Sequence, residues 1–267
     1  MLRVVTLNIW NLSGDWRARR GAIVALLDRC APDVVCLQEV VSNERGNQAE
    51  WLAGALHGDW AVAYAGSPLG RVGGRFGNAV LSRRPIDATT HAELPYVADD
   101  HEVPRLVLHA RTGGVDVFST HLAWQLHDSA LRERQVRVLV DVVAECSDPA
   151  AAVGPVVGAD LNAEPDSTVV RYLSGLATLD GHATYLQDAW RLAGGGGPGI
   201  TWSNANPHAA LDGEADKRID YVLSGFHGPA LGGRPVECRV VGDAPVDGVW
   251  PSDHCGVLAV LADPAGA

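Results

Sequence analysis

The chain lacks the marks of a zinc ribbon, a disulfide scaffold or a membrane protein. Its five cysteines (Cys30, Cys36, Cys146, Cys238, Cys255) are odd in number and widely spaced, with no CxxC pair or His/Cys cluster. That pattern suggests neither a zinc site nor a disulfide framework. Reduced core thiols are the default, which fits a cytoplasmic setting. No apolar run approaches the ~20 residues that span a bilayer, and a strand pattern begins at Leu2 with no secretory leader ahead of it. Repeats at solenoid periods are absent. So are the GxSxG elbow of Ser-His-Asp hydrolases and the HExxH of zinc proteases. Positive charge is also scarce: 21 Lys+Arg stand against 32 Asp+Glu, a formal net charge of −11. A protein that binds long nucleic acid gains its affinity from Lys and Arg on phosphates, so this balance disfavours such a partner. A small phosphorylated molecule remains open, because a metal can supply positive charge locally.

What is present suits a soluble globular protein, with 47% hydrophobic and 20% charged residues. A chain of 267 residues is long enough for a large core and for either one large domain or two average ones. Strand patterns cover Leu2–Leu7, Val34–Leu37, Trp60–Ala65, Asn78–Ser82, Ile86–Leu94, Arg105–Arg111, Val115–Ser119, Ile219–Leu223, Val236–Val241 and Gly256–Leu261. Helical spacing marks Trp16–Arg29, Gln48–Leu56, Ser129–Glu145 and Thr168–Leu173. Leu131, Val138, Leu139, Val142 and Val143 form the apolar stripe of the third of these. The glycine run Gly194–Gly199 is short and has motif residues on both sides, so it reads as a loop and not a domain boundary. Many strands broken by a few helices predict packed layers of sheet and helix.

The stretch Val156–Pro165 organises the rest. An apolar strand leads to Asp160 and Asn162, two residues apart, which leave one face of the sheet if the strand still runs there. The same pair also suits a turn, because Asp and Asn side chains readily bond nearby backbone. The other strand ends bear on the choice. Each strong strand stops at a polar residue: Asn8, Glu39, Asn78, His121, Asp220 and the run Ser252-Asp253-His254. Taken singly these are turn residues, solvated tips or core histidines. Gathered, they are the parts of a metal-assisted hydrolase.

The segments TLNIW (6–10), LQEV (37–40), GNAVLS (77–82), STHL (119–122), GADLNAEP (158–165), TW (201–202), RIDYVL (218–223) and PSDH (251–254) occur in an order that resembles the endonuclease/exonuclease/phosphatase superfamily. DNase I-like nucleases, inositol-polyphosphate phosphatases and neutral sphingomyelinases belong to it. The resemblance runs from Asn8 to His254. It implies an α/β (α+β) fold, a four-layered α/β sandwich of two packed mixed sheets flanked by helices, and one domain over 1–267. It further implies Glu39 as the main protein ligand of Mg²⁺, with Mn²⁺ as a substitute, and Asn8 and Asp253 near the metal. Asp160 orients or deprotonates the attacking water. Asn162 and Asn8 hold phosphoryl oxygens. His254, its tautomer fixed by Asp220, bonds the phosphoryl oxygen or protonates the leaving group, and His121 adds a donor. Asn78, Arg105 and Trp202 complete the expected phosphate and substrate contacts. Two departures separate the chain from the apurinic-site nuclease branch: Trp10 replaces an Asp, and His121 replaces a Tyr.

The expected reaction is hydrolysis of a phosphodiester of a small or lipid-like substrate by in-line attack of water, carried out by a monomer with no transmembrane segment. A nuclease and an inositol-phosphate type phosphomonoesterase are the alternatives, and an inactive binding module is the rival outside enzymology. Trp10, Trp124, Trp202 and Trp250 each sit inside or within four residues of a motif, so an aromatic rim is expected, with core packing as the competing reading. The acidic loops 99–102 and 212–216 are expected to repel a long polyanion. Arg105 and Arg218 are each equally suited to a single phosphate or to an ion pair.

Overall fold

A computed structural model of the chain describes residues 1–69, 74–97, 103–226 and 232–263. The expected acidic loop at 99–102 therefore lies outside the described residues. The elements run β1 (Leu2–Asn8), α1 (Trp16–Cys30), β2 (Val34–Asn43), β3 (Gly46–Asn47), α2 (Gln48–Ala55), β4 (Ala61–Pro68), β5 (Arg75–Ser82), β6 (Ile86–Glu93), β7 (Leu106–Thr112) and β8 (Val115–His121). They continue with α3 (Ser129–Cys146), β9 (Val156–Asp160), α4 (Thr168–Leu173), β10 (Leu186–Asp188), α5 (Ala189–Ala193), β11 (Asp220–Gly225), β12 (Pro235–Val241) and β13 (Gly256–Leu261). One mixed sheet has the order β12-β13-β1-β2-β5-β4, with β3 paired to β2, and the other has the order β10-β11-β9-β8-β7-β6.

Three cores separate four layers, as the sequence leads one to expect. Ile23, Leu26 and Leu27 of α1 and Leu52 of α2 cover Val5, Leu7, Val35 and Leu37 on the outer face of the first sheet. Burying each such side chain contributes about 1.5–3 kcal/mol. Val136, Leu139 and Val143 of α3, with Val169 and Val170 of α4, cover Phe118, Val157 and Ala159 on the outer face of the second. Between the sheets lies a layer of smaller residues, including Val4, Val34, Cys36, Val80, Val117, Val156 and Val222.

Alternation along the strands decides what reaches the seam between the sheets. Val4 faces the seam and Val5 the helices, so Thr6 and Asn8 face the seam as well. In β9, Val156 faces it and Val157 does not, so Gly158 and Asp160 do. The same parity carries Ser119 and His121 of β8 and Asp220 of β11 inward. Gly158 marks the closest approach: a Cβ there would meet Cys36 Cβ at 2.5 Å and Sγ at 2.7 Å. Beside it, Gln38 Nε2 lies within hydrogen-bond reach of Thr6 Oγ1 (3.1 Å), Ser119 Oγ (3.2 Å) and the Gly158 carbonyl (3.3 Å). A polar belt thus ties the sheets together directly beneath the strand ends.

Two features differ from the sequence expectation. The strand starting at Val34 runs on to Asn43 instead of stopping at Glu39. Segment 186–192, left without an element type by the sequence, divides into β10 and α5, because Asp188 caps the helix by accepting from Trp190 N and Arg191 N.

Candidate active site

Asp160 ends β9 in the register pairs Asp160–Asp220 and Asp160–His121, so β8, β9 and β11 deliver three polar side chains side by side. Asn8, arriving from the other sheet, donates from Nδ2 to Asp160 Oδ2 at 3.0 Å. Both halves of the strand-end set therefore meet across the seam.

At 160–162 the structure shows a turn, and the turn itself aligns both side chains with the candidate site. The strand ends at Asp160, and Asn162 has φ 46°, so the expected strand geometry does not extend that far. Instead, Asn162 N donates to Asp160 Oδ1 at 3.0 Å, closing an Asx turn. That turn brings the Asn162 amide to 2.9 Å from His121 Nε2. Asn8 repeats the device, accepting from Trp10 N at 2.9 Å while its Nδ2 serves Asp160.

Glu39 reaches the cleft by a different route. Regular alternation would turn it toward the helices, on the side of Leu37. The register slips between Leu37 and Val40, and Glu39 adopts φ 59°. This bulge re-aims the carboxylate. Glu39 Oε2 then accepts from Asn11 Nδ2 at 2.7 Å.

His254 precedes β13, with Nδ1 at 3.0 Å from Asp220 Oδ2 and Nε2 at 3.7 Å from Asp160 Oδ2. Burial alone depresses this imidazole, but Asp220, Asp160 and Asp253 overcome it and hold the protonated form well above the ordinary range. Burial and the like charge of Asp220 push Asp160 up to about 6, against His254 and the hydrogen bonds from Asn8 and Asn162. His121 goes the other way: burial, with the neighbouring Arg105 and His254, lowers it well below the usual value. Arg105 Nη1 lies 2.8 Å from His121 Nδ1. A guanidinium can only donate, so Nδ1 accepts, and Nε2 lies 2.9 Å from Asn162 Nδ2 and 3.3 Å from Asp160 Oδ2.

The expected metal ligands pass a test of chemistry. Burial, with Glu39 adding to it and His254 opposing, pushes Asp253 to about 7. Two mutually repelling carboxylates beside an amide form an all-oxygen donor set suited to a hard divalent cation. Ligand-capable atoms of Asp160, Asp220 and His254 also lie within 4.8 Å of one another. That second group is already closed by the Asp220–His254 hydrogen bond, which favours a proton there over a cation.

The remaining expectations sort by position. The cleft has a volume of ≈ 360 Å³, and Trp124, Trp202, Asp212, Glu214 and Lys217 complete its wall. Trp202 stands edge-on to His254 with ring centroids 4.8 Å apart. Trp10 instead packs on His208, and Trp250 lines a separate cavity. Asn78 is spent on the Leu106 carbonyl at 2.9 Å, beside Arg105. Arg218 pairs with Asp188 at 2.9 Å.

Asn11 and Arg19 went unread in the sequence, and Ser252 was read only as part of a strand-end run. Asn11 holds Glu39. Ser252 Oγ lies 2.7 Å from the Asn8 carbonyl and 3.0 Å from Asp253 Oδ1, joining the two chain ends of the site. Arg19, fully buried, makes six hydrogen bonds to the carbonyls of Ile9, Trp10, Asn11, Ser13 and Pro251. Its signal was available: it shares the apolar stripe of α1 with Ile23 and Leu26, where a lone Arg requires a reason.

The sequence profile of the Endonuclease/Exonuclease/phosphatase family matches residues 5–254. The chain belongs to this family. Its members are typically metal-dependent phosphoester hydrolases, including phosphodiesterases and nucleases. Among solved structures, a family protein from Bacteroides vulgatus aligns with TM-score 0.73 at 18% identity over 97% of this chain and 98% of its own. The family protein from Beutenbergia cavernae aligns with TM-score 0.70 at 25% identity over all of this chain and 72% of its own. TDP2 of D. rerio complexed with a single-strand DNA product aligns with TM-score 0.70 at 18% identity, covering 97% and 98%. A comparison with curated proteins returns no match. Among the described residues, no helix of this family member is long and apolar enough to cross a membrane.

Proposed function

We propose that the chain is a divalent-metal-dependent phosphodiesterase that hydrolyses a phosphodiester of a small or lipid-like substrate by in-line attack of water. The reading rests on one observation above all. A carboxylate held near neutrality (Asp160) and an imidazole held protonated (His254) face each other at 3.7 Å across the seam. Groups whose surroundings separate their protonation states at neutral pH form an acid–base pair.

Each residue then has a task. Asp160, fixed by Asn8 and the Asn162 backbone, takes a proton from the attacking water. Asp220 holds Nδ1 of His254, so that Nε2–H points into the cleft toward the phosphoryl or leaving oxygen. His121, oriented by Arg105, adds a donor to charge building on phosphorus, together with Asn162. Glu39, Asp253 and Asn8 would hold the cation, Mg²⁺ by their oxygen chemistry with Mn²⁺ as substitute; when bound it supplies charge neutralisation at the phosphoryl group. Trp124 and Trp202 give the substrate alcohol an apolar wall. We read the protein as a single-domain, cytoplasmic monomer over 1–267.

Two measurements test this. Excess EDTA is expected to abolish turnover and added Mg²⁺ or Mn²⁺ to restore it; unchanged turnover in EDTA would refute the metal assignment. A panel of bis-nitrophenyl phosphate, nitrophenyl phosphate, plasmid DNA, sphingomyelin and inositol phosphates is expected to show the highest kcat/KM on a diester. Preference for the monoesters would replace the phosphodiesterase by the phosphatase.

A further inference from the structure

A second concavity of ≈ 230 Å³ opens beside the cleft, between the start of α1 and the start of α2. Leu12, Trp16, Arg17, Arg20, Arg45 and Trp51 form much of its wall. Among the described residues no carboxylate lines it, whereas Glu39, Asp160, Asp212 and Glu214 line the cleft. Three guanidinium groups thus gather on one hollow of a chain whose net charge is −11. Among the described residues, none of the three makes an ion pair. Arg17 and Arg45 are exposed to solvent. Arg20 lies over the Trp51 ring at 4.1 Å, and Trp16 meets Trp51 edge-on at 6.4 Å.

The hollow is tied to the site by a short relay. Gln48, on its wall, donates to the Asn11 carbonyl at 2.8 Å, and the Asn11 side chain holds Glu39. Val41 lies in the hollow and Glu39 in the cleft, two residues apart on β2, or about 7 Å along a strand. The cleft therefore has two unlike flanks. On one, Asp212 and Glu214 accompany Lys217, the only lysine of the chain. On the other, arginines alternate with indole rings, the combination that binds single-stranded nucleic acid through phosphate contacts and base stacking.

We propose that this hollow is a nucleotide subsite, taking one phosphorylated nucleoside unit of a short single-stranded oligonucleotide. Its phosphate contacts Arg17 and Arg45, and its base lies against Trp51. The inference rests on the phosphodiesterase reading and names the side on which the substrate carries further charge: phosphates extend from the scissile group toward α1 and α2, and not toward Asp212 and Glu214. The acidic remainder of the surface then limits the partner to a short strand and excludes a long duplex.

The test titrates the full-length protein, in EDTA to prevent turnover, with an oligothymidylate pentamer between about 50 and 200 mM salt. Inorganic phosphate and phosphatidylserine vesicles serve as parallel probes. The pentamer is expected to bind with a salt slope that falls by about 1.4 in Arg17→Gln/Arg45→Gln, at about 0.7 per contact on a single strand. Trp51→Ala is expected to weaken it about tenfold through lost stacking, and inorganic phosphate is expected to compete only weakly. Thermal melting of each variant shows that the fold is kept. Pentamer affinity unchanged in both variants would overturn the subsite. So would competition by inorganic phosphate at the pentamer's own affinity, or vesicle binding lost in the variants while the pentamer does not bind. Turnover of bis-nitrophenyl phosphate by the unsubstituted protein is read separately. If it is absent while pentamer binding behaves as expected, the catalytic reading fails and the subsite stands.

Discussion

Replacing Arg19 by Met probes the part of the site that touches no substrate. The guanidinium is enclosed, and burial, against the pull of Asp253, Glu39 and Asp15, lowers it to about 10, so it stays charged at neutral pH. Met keeps an unbranched stem and removes every donor. The Trp10, Asn11 and Ser13 carbonyls lie in a half-buried loop that water can reach, whereas Ile9 and Pro251 are buried. Two buried acceptors left unpaired cost about 1–3 kcal/mol each, and removal of the desolvated cation returns part of that. The net loss is about 3 kcal/mol, or about 6–12 °C in Tm at the 2–4 °C per kcal/mol typical of chains this size. Differential scanning calorimetry in the absence of metal reads it. Arg19→Lys is expected to recover less than half, because an ammonium cannot fork across five carbonyls. The same variant, assayed well below its Tm, is expected to need more Mg²⁺ for half-maximal activity, because Asn11 and Pro251 lead directly to Glu39 and Asp253. A Tm within about 2 °C of the parent would show that the clamp is idle and refute the reasoning.

Three further outcomes follow from the geometry. Asp160→Asn or His254→Ala is expected to lower turnover by on the order of 10²–10⁴ with the fold retained; near-normal rates in either purified variant would end the acid–base assignment. The pH profile of kcat/KM is expected to fall on the acid side near the Asp160 value of about 6, because the carboxylate must be ionised to accept the proton. Asn8→Ala removes a hydrogen bond that favours the ionised form, so this limb is expected to move to higher pH; movement to lower pH would contradict the sign. Gly158→Ala places a methyl group 2.5 Å from Cys36 Cβ and is expected to cost at least about 1–3 kcal/mol by overpacking, read as urea midpoint, with Cys36→Ala restoring part of it.

The parts of the site that obey strand periodicity were legible in the sequence. Asn8, Asp160 and Asp220 sit at strand ends in phase with apolar partners, so alternation and the motif order together placed them. Glu39 was found as a strand-end acid, but its route to the cleft was not, because a left-handed residue in a bulge breaks the period that pattern reading relies on. Asn162 illustrates the converse: the strand it was expected to extend stops, and an Asx turn performs the alignment. Trp10 and Trp250 lay as near to motifs as Trp124 and Trp202, yet only the latter pair lines the cleft, because sequence distance does not report which way a loop folds. The acidic segment 212–216 read as a solvated loop that repels polyanions, and it contributes Asp212 and Glu214 to the cleft wall. Arg19 and Asn11 act through backbone carbonyls and a neighbouring carboxylate, contacts that leave no spacing to recognise.

The strand order has a consequence for when the chain becomes active. All of the second sheet, from Ile86 to Gly225, is synthesised before β13, which then inserts between β12 and β1 of the first sheet. His254 and Asp253 arrive with that last strand. On the proposed roles, a product that ends after β11 and before Asp253 would have the water-activating half of the site without its acid and without part of its cation-binding set. As domains condense during synthesis, the proposed mechanism would withhold hydrolysis until translation has passed residue 254, so a stalled ribosome would release an inert fragment and not a half-controlled hydrolase.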